Sequence, residues 1–492
     1  MSDPLVLAID QGTSATKAVL VDRSGRVVAR GTAPLTQHAP QSGWVEHDAD
    51  DVIVSMRAAV ADALAAATVN GVPPTIVCVG ISNQRESLLL WDRDTGRPVS
   101  PLLSWQDRRT IDRCADLAAL GHGPIVRRIS GLPLDPMFSA AKAAWLLDEF
   151  DPDRTRSDSL CLGTVDSWLM WHLVGEHVIE AGNASRTSLV DLVTGEWSPE
   201  LLDVFGVPLG VLPRIVDSVG VVGMITDLPG LAGVPVSGVL GDSHAALFAH
   251  AGWEAGVVKA TYGTGSSLMT LAEASASDVP ALVRTIAWRL PGEPAAVAYE
   301  ANILSAGSTL TWLAAVLGTT AGDLADVAAP TSEGVRLVPA FNGLGAPWWD
   351  PTAQAVLVGM SLATTREHLA RAALDSVILQ VADVVEAMVA AGVNAASLVV
   401  DGGMTANTDL MARQAALCDL PVRVSRTPEL SALGAAHAAG LGAGVWTRAE
   451  LQSLAREYDT LGPDERDART LRLLDDWHDA LRISRNATEG RQ

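Results

Sequence analysis

The feature that most constrains this chain is a motif that occurs twice. Leu5 to Ile9 is a continuous apolar run that ends in Asp10, Gln11, Gly12, Thr13 and Ser14, after which Thr16 to Val21 is again apolar. Much later, Val257 to Tyr262 leads into Gly263, Thr264, Gly265, Ser266 and Ser267, followed by the apolar Leu268 to Leu271. Each copy reads as a strand, a Gly/Thr turn and a second strand. The copies stand near the starts of the two halves of a 492-residue chain, as expected for a duplicated domain. A chain of this length also exceeds one typical core and suggests two domains of roughly 200 residues each.

The segments around these motifs alternate in type. After the first motif, Asp22 to Gly25 turns the chain into Val27 to Gly31, which predicts an antiparallel meander. Helical periodicity runs over Val52 to Ala67 and Ala140 to Glu149, and strands over Ile76 to Ile81 and Val236 to Leu240. The second half repeats the alternation: Glu367 to Ala391 helical, Leu398 to Val400 a strand, Asn407 to Cys418 helical. This is an α/β pattern. Its restart places a domain boundary near residues 246 to 256, so we expect domains at 1–246 and 247–446 and a helical tail at 447–492.

Charge narrows the possible partners. A formal net charge of −22 repels phosphate backbones and anionic membranes and argues against nucleic-acid or membrane-surface binding, without forbidding a local phosphate site. With 48% hydrophobic and 19% charged residues the chain has enough apolar material for a core. Met1 to Pro4 lacks the basic flank of a signal peptide, and the small-apolar stretch Ala432 to Trp446 is shorter than the ~20 residues a membrane span requires. Cys78, Cys114, Cys161 and Cys418 show no metal-ligand or disulfide spacing. These features predict a soluble, cytoplasmic protein. Of the three lysines, Lys17 and Lys259 flank the two Gly/Thr motifs, while Lys142 does not.

Several turns have the residues for phosphate chemistry. A strand-to-strand turn of Gly, Thr and Ser offers backbone N–H groups and hydroxyls that approach a phosphate closely. Either turn alone reads equally as an ordinary hairpin; their pairing, and the aspartate heading the first, favour a two-sided phosphate cradle. Neither a Gly-Lys-Ser phosphate loop nor a dinucleotide glycine fingerprint is present. Asp401, Gly402, Gly403 and Met404 follow the strand Leu398 to Val400. Their two glycines admit a flat ligand, and Asn407 serves either to bond a base or ribose or to cap the next helix. Gly241 and Asp242 end another strand, where α/β folds bind ligands, although an aspartate there also suits a helix cap. In phosphoryl transfer one carboxylate accepts the hydroxyl proton and another holds Mg²⁺, which makes Asp242 the candidate base and Asp10 the candidate metal partner. Asn83, Gln84, Arg85 and Glu86, then Trp105, Gln106 and Asp107, follow strands; Trp, Arg, Glu and Asp together suit a hydroxylated carbon chain.

Taken together, these segments resemble the FGGY carbohydrate kinases, and within them most closely the glycerol kinase branch, from Asp10 to about Trp446. Ile9 to Ser14, Gly43 to Asp48, Gly80 to Glu86, Trp105 to Thr110, Gly163 to Trp168, Asn183 to Thr187, Thr261 to Gly265, Gly343 to Pro351 and Asp401 to Asn407 carry the likeness. The resemblance implies two actin-like, ribonuclease-H-like domains with ATP and a small polyol or sugar meeting in an interdomain cleft, Mg²⁺ as cofactor, and a homo-oligomer such as a dimer. It implies that Gly12, Thr13, Ser14, Lys17, Thr264, Gly265, Gly307, Thr311, Gly403, Met404 and Asn407 contact the nucleotide. Arg85, Glu86, Trp105, Met137, Asp242 and Ser243 would then contact the acceptor, and Asp10 and Asp242 the metal. The chain departs from glycerol kinases at Met137, where Tyr is usual, at Ser243, where Gln is usual, and at Ser267, where an aromatic residue is usual. Fewer aromatic walls enlarge the pocket, so a longer polyol, or a ketose as in a xylulokinase, joins glycerol as a candidate. Lys17 replaces an Arg, keeping charge without the bidentate fork. A non-catalytic actin-like ATPase or binding protein is the rival class.

Overall fold

The structure, a computed structural model, describes residues 4–69, 71–250, 253, 256–272, 278–427, 429–463 and 468–486. The principal strands are β1 (Leu5–Gln11), β2 (Ala15–Val21), β3 (Val27–Pro34), β4 (Ile76–Asn83), β5 (Val219–Met224) and β6 (Pro235–Gly241), then β7 (Val257–Tyr262), β8 (Ser266–Leu271), β9 (Ala296–Ile303), β10 (Ser397–Asp401), β11 (Val422–Ser425) and β12 (Tyr458–Leu461). The principal helices are α1 (Ala49–Ala66), α2 (Ser139–Phe150), α3 (Asp242–Ala249), α4 (Gly307–Leu317), α5 (Arg366–Ala390), α6 (Thr408–Cys418), α7 (Leu430–Gly442) and α8 (Ala468–Asn486).

The chain divides into two compact units, and the division is not sequential. Unit one comprises 1–251, 284–298 and 429–455; unit two comprises 252–283, 299–428 and 456–492. Of the expected boundary region, residues 251, 252, 254 and 255 lie outside the described residues. The segment after 446, expected to be a helical tail, contains β12.

Each unit is built on the same strand order. In unit one the sheet runs β5-β6-β4-β1-β2-β3, with β6, β4 and β1 mutually parallel and the others antiparallel to their neighbours. The second sheet runs β12-β11-β10-β7-β8-β9 and ends on a seventh strand, Val283–Trp288, with β11, β10 and β7 parallel and β12 and β8 antiparallel to their neighbours among these. The motif that repeats in the sequence is therefore the β1–β2 hairpin of one unit and the β7–β8 hairpin of the other.

Parallel strands buried on both faces favour continuous apolar sequence, which explains the unbroken run Leu5 to Ile9 of β1, while β7 carries Lys259 and Thr261 within its run. In unit one, Leu7, Ile9, Val79 and Ile81 pack with Val52, Met56, Ala59 and Ala63 of α1. Asp48 caps that helix by accepting from Asp50 N at 2.8 Å. The opposite face is covered by α7, whose small residues allow close approach. A Cβ on Gly80 would lie 2.1 Å from Ala435 O, and one on Gly238 would lie 2.4 Å from Ala439 N. Unit two has its own core around α5, with Val377, Ile378, Val381 and Val384 fully buried with Val258, Ala260, Leu398 and Val400. No helix among the described residues is long and apolar enough to cross a membrane.

Candidate active site

In unit one the candidate groups collect at the carboxyl ends of three adjacent parallel strands, the edge where α/β sheets bind ligands. Asp10 of β1 pairs in register with Ser82 of β4, and Gly241 of β6 pairs with Asn83. Asp10 and Asp242 thus flank the end of the same central strand. Asp10 accepts a hydrogen bond from Ser82 Oγ at 2.8 Å. Desolvation raises its carboxyl from 3.8 to about 6; the Ser82 bond opposes that shift, the negative charge of Asp242 adds to it, and Lys17 opposes it.

Asp242 is the first residue of α3. Gly241 takes the cap position, so the aspartate is not the cap that sequence reasoning kept open. Its Oδ1 accepts from Arg85 Nε at 3.1 Å and from Ser243 N at 2.6 Å. Arg85 is almost buried while the Asp242 side chain is 42% exposed, so the carboxylate is oriented by the protein yet open to a ligand. Gly241 makes this possible, because a Cβ there would lie 2.5 Å from Arg85 Cδ.

The other candidate acceptor contacts are braced in the same unit. Glu86, with φ of 61°, accepts from the buried Arg186 Nε at 2.5 Å. The guanidinium of Arg186 lies 5.0 Å from the Phe138 ring centroid. Trp105 donates its backbone N–H to Ser87 Oγ at 2.9 Å and its indole Nε1 to Thr13 Oγ1 at 3.1 Å, which joins it to the first Gly/Thr turn. That turn is closed by Gly12 N donating to Ala15 O at 3.0 Å. Met137 and Ser243 are half-buried, and Lys17 is exposed on β2 opposite Asp10. Asn83 and Asn183 exchange side-chain amide hydrogen bonds at 3.1 and 3.2 Å beneath this surface.

Asp107 does not join the acceptor pocket as the sequence suggested. It is fully buried and bonds Arg109 Nε at 2.9 Å, Arg109 Nη2 at 2.8 Å and Val45 N at 2.7 Å. Arg109 stacks over Trp44 with 3.7 Å to the ring centroid. Asp107 therefore belongs to a structural ion pair. Conversely, Ser82 and Arg186 received no role from sequence. The only available signal was their position, Arg186 within the Asn183 to Thr187 segment and Ser82 within Gly80 to Glu86.

Unit two gathers the second set at the carboxyl ends of β7 and β10. The 263–265 turn is closed by Gly263 N donating to Gly265 O at 2.9 Å, and the start of α4 docks on it through Gly307 N to Gly263 O at 2.9 Å and Ser308 N to Thr264 O at 3.0 Å. A Cβ on Gly265 would lie 2.4 Å from Ile303 O and one on Gly307 2.6 Å from Gly263 O, so both positions demand glycine. Thr311 sits one turn into α4, exposed, its hydroxyl donating to Gly307 O at 3.2 Å. On the neighbouring strand, Gly402 at φ 102° lies against Tyr262, where a Cβ would come within 2.3 Å of Tyr262 O. Gly403 and Met404 begin a 3-10 turn, Gly403–Ala406, within the strand-to-helix turn expected before Asn407. A Cβ on Gly403 would meet nothing within 4 Å. Asn407 caps α6, its Oδ1 accepting from Leu410 N at 3.0 Å. Capping occupies one end of the amide and leaves Nδ2 as a donor for a ligand. Ser267 is half-buried on β8, paired with Thr261 of β7.

The chain matches known proteins over nearly all its length. Residues 5–249 match the N-terminal domain of the FGGY family of carbohydrate kinases and residues 258–443 match the C-terminal domain of that family. A glycerol kinase of Dechloromonas aromatica is 42% identical over 495 residues, covering 98% of each chain. The crystal structure of Plasmodium falciparum glycerol kinase with ADP superposes with a TM-score of 0.91 at 27% identity, covering 98% of each chain. A xylulose kinase from Rhodospirillum rubrum superposes with a TM-score of 0.85 at 25% identity, covering 99% of each chain.

Proposed function

Because the chain belongs to the FGGY family of carbohydrate kinases, phosphotransferases acting on a hydroxyl group, we propose that it transfers the γ-phosphate of ATP to a terminal hydroxyl of glycerol or a somewhat longer polyol. The relative at 42% identity is a glycerol kinase, while the xylulose kinase stands at 25%, so a polyol is favoured over a ketose. The observation that carries the mechanism is the fixing of Asp242 Oδ1 by Arg85 and the Ser243 N–H, beside Asp10 across the end of β4.

With Oδ1 so engaged, Oδ2 of Asp242 takes the proton of the acceptor hydroxyl as that oxygen attacks phosphorus. Arg85 keeps the carboxylate in one orientation. Glu86, held by Arg186, accepts hydrogen bonds from acceptor hydroxyls, and Trp105 and Met137 supply apolar walls. Thr13 and the backbone of Gly12 to Ser14 contact nucleotide phosphates, with Lys17 on the adjacent strand. Thr264, Gly265, Gly307 and Thr311 also contact phosphates, and Gly403, Met404 and Asn407 contact the adenosine.

The donor set fits Mg²⁺. Asp10 and Asp242 are both hard carboxylate donors, and beyond the larger effect of burial the charge of Asp242 raises the Asp10 carboxyl, a repulsion that a divalent cation relieves. Asp10 and Asp242 would hold it, and when bound it supplies neutralisation of the phosphate oxygens.

A cytoplasmic homodimer is the accompanying proposal, which light scattering of purified protein tests. The main test is coupled-assay ADP release over glycerol, four- and five-carbon polyols, and ketoses. Polyol-dependent release is expected. Release with ketoses alone transfers the assignment to a xylulokinase, and release with neither overturns the kinase reading in favour of a non-catalytic ATPase or binding protein.

A further inference from the structure

Lys142 is a fully buried cation that the proposed chemistry does not use. It lies on α2, and its Nζ donates to Met137 O at 2.7 Å and to Ser104 O at 3.2 Å. Ser104 immediately precedes Trp105, so the two carbonyls belong to the two loops that carry the proposed acceptor walls. Among the described residues no carboxylate lies within ion-pair distance of this ammonium, and its partners are backbone carbonyls. A buried charge without an ion pair is costly. An apolar residue of the same length would take this partner from Met137 O and leave Ser104 O with only its bond from Asp107 N, which is the alternative cost that the lysine avoids.

We propose that Lys142 is a positioning residue for the acceptor pocket: by pinning the carbonyls of Ser104 and Met137 it sets the spacing of the Trp105 and Met137 walls, and with it the length of polyol accepted. This rests on the reading of Trp105 and Met137 as acceptor contacts. An ammonium suits the task because its three donors rotate freely and reach carbonyls approaching from different loops. The charged form binds carbonyls about twice as strongly as a neutral donor.

The groups facing it are Glu86, Asp107, Asp135 and Cys114, each of which favours the ammonium, while burial lowers its pKa from 10.5 to about 8. The wall spacing is thereby tied to pH. Below about 8 the ammonium holds both loops; above it the amine holds them more weakly.

The test compares wild type with Lys142→Met, using whichever polyol the wild type phosphorylates, from pH 7 to 9.5. The wild-type KM for polyol is expected to rise several-fold as pH passes about 8, with KM for ATP steady. Lys142→Met is expected to raise polyol KM about tenfold at pH 7.5, with an unchanged KM for ATP, and to flatten the pH profile. It should also shift preference among three-, four- and five-carbon polyols. If the variant does not fold, the wild-type profile still decides: a flat polyol KM overturns the proposal. A folded variant with the wild-type polyol KM, or with equal losses for polyol and ATP, overturns it while leaving the proposed function intact. A wild type that phosphorylates no polyol overturns the proposed function and this inference together.

Discussion

The indole Nε1 of Trp105 donates to Thr13 Oγ1 at 3.1 Å. An indole N–H donates only, so the threonine hydroxyl must accept, and its own proton is left for an acceptor elsewhere. A phosphate oxygen accepts only. Trp105 thereby leaves the Thr13 hydroxyl proton for the phosphate oxygen that we propose it contacts, linking the proposed acceptor wall to the proposed phosphate turn. Trp105→Phe keeps an apolar ring and removes this bond. A loss of about 1 kcal/mol in kcat/KM is expected, on the scale of one hydrogen bond. Thr13→Val alone should lose at least as much. In a double-mutant cycle Trp105→Phe should cost little in the Thr13→Val background, and full additivity would show that the bond carries no coupling.

Asp242→Asn removes the proton acceptor while preserving shape. Loss of phosphoryl transfer by roughly 10²–10⁴-fold is expected, the range of general-base contributions. Nucleotide binding, measured by calorimetry with ADP, should persist, because Asp242 is not among the proposed nucleotide contacts. A variant that retains near-normal turnover removes Asp242 from the base role.

Asp10→Asn should trade activity for stability. The Asp10 carboxyl is raised from 3.8 to about 6, so between those values the folded state binds more protons than the unfolded state. Stability contributed by this group therefore falls as pH rises through that window, and the full cost is present at pH 7. The amide accepts the Ser82 bond without that cost. In metal-free buffer the variant should melt higher at pH 7, by on the order of 1–3 kcal/mol, and the gain should vanish near pH 3.5. An unchanged difference at both pH values would contradict the burial account.

Gly434→Ala offers a case where helix propensity and packing oppose one another. Alanine within α7 should gain about 1 kcal/mol over glycine by propensity. A Cβ there, however, would lie 1.8 Å from Ala245 O of α3, a backbone atom that cannot rotate away. Net destabilisation of about 1–3 kcal/mol is expected from the forced separation of α3 and α7. Thermal denaturation checks the sign. A higher melting temperature would show that the two helices part freely.

Much of the local structure of the candidate site was legible because it lies on local patterns. The hairpins at Asp10 to Ser14 and Gly263 to Ser267, the strand ends before Arg85 and Asp242, and the turn at Asp401 to Met404 are each set by a short run of apolar residues and the glycines that follow it. The 3-10 form of Gly403–Ala406 and the cap at Gly241 were not legible, since element boundaries depend on which neighbours complete the hydrogen bonds. Asp107 was misread for a related reason. Its type suits a polyol pocket, and only packing against Arg109 and Trp44 consigns it to the interior.

Sequence by itself determined that the chain would repeat one strand–turn–strand unit, and which residue types stand at the ends of the strands, because periodicity and turn chemistry act over a few residues. Tertiary structure decided what those patterns could not encode. It placed α7, from the far end of the chain, on the first sheet, where Gly80 and Gly238 leave room for it. It also put Arg186 on Glu86 and Lys142 between two loop carbonyls. Such buried pairings are fixed by the cost of leaving a charge or carbonyl unsatisfied, a quantity that exists only after the chain has closed around them.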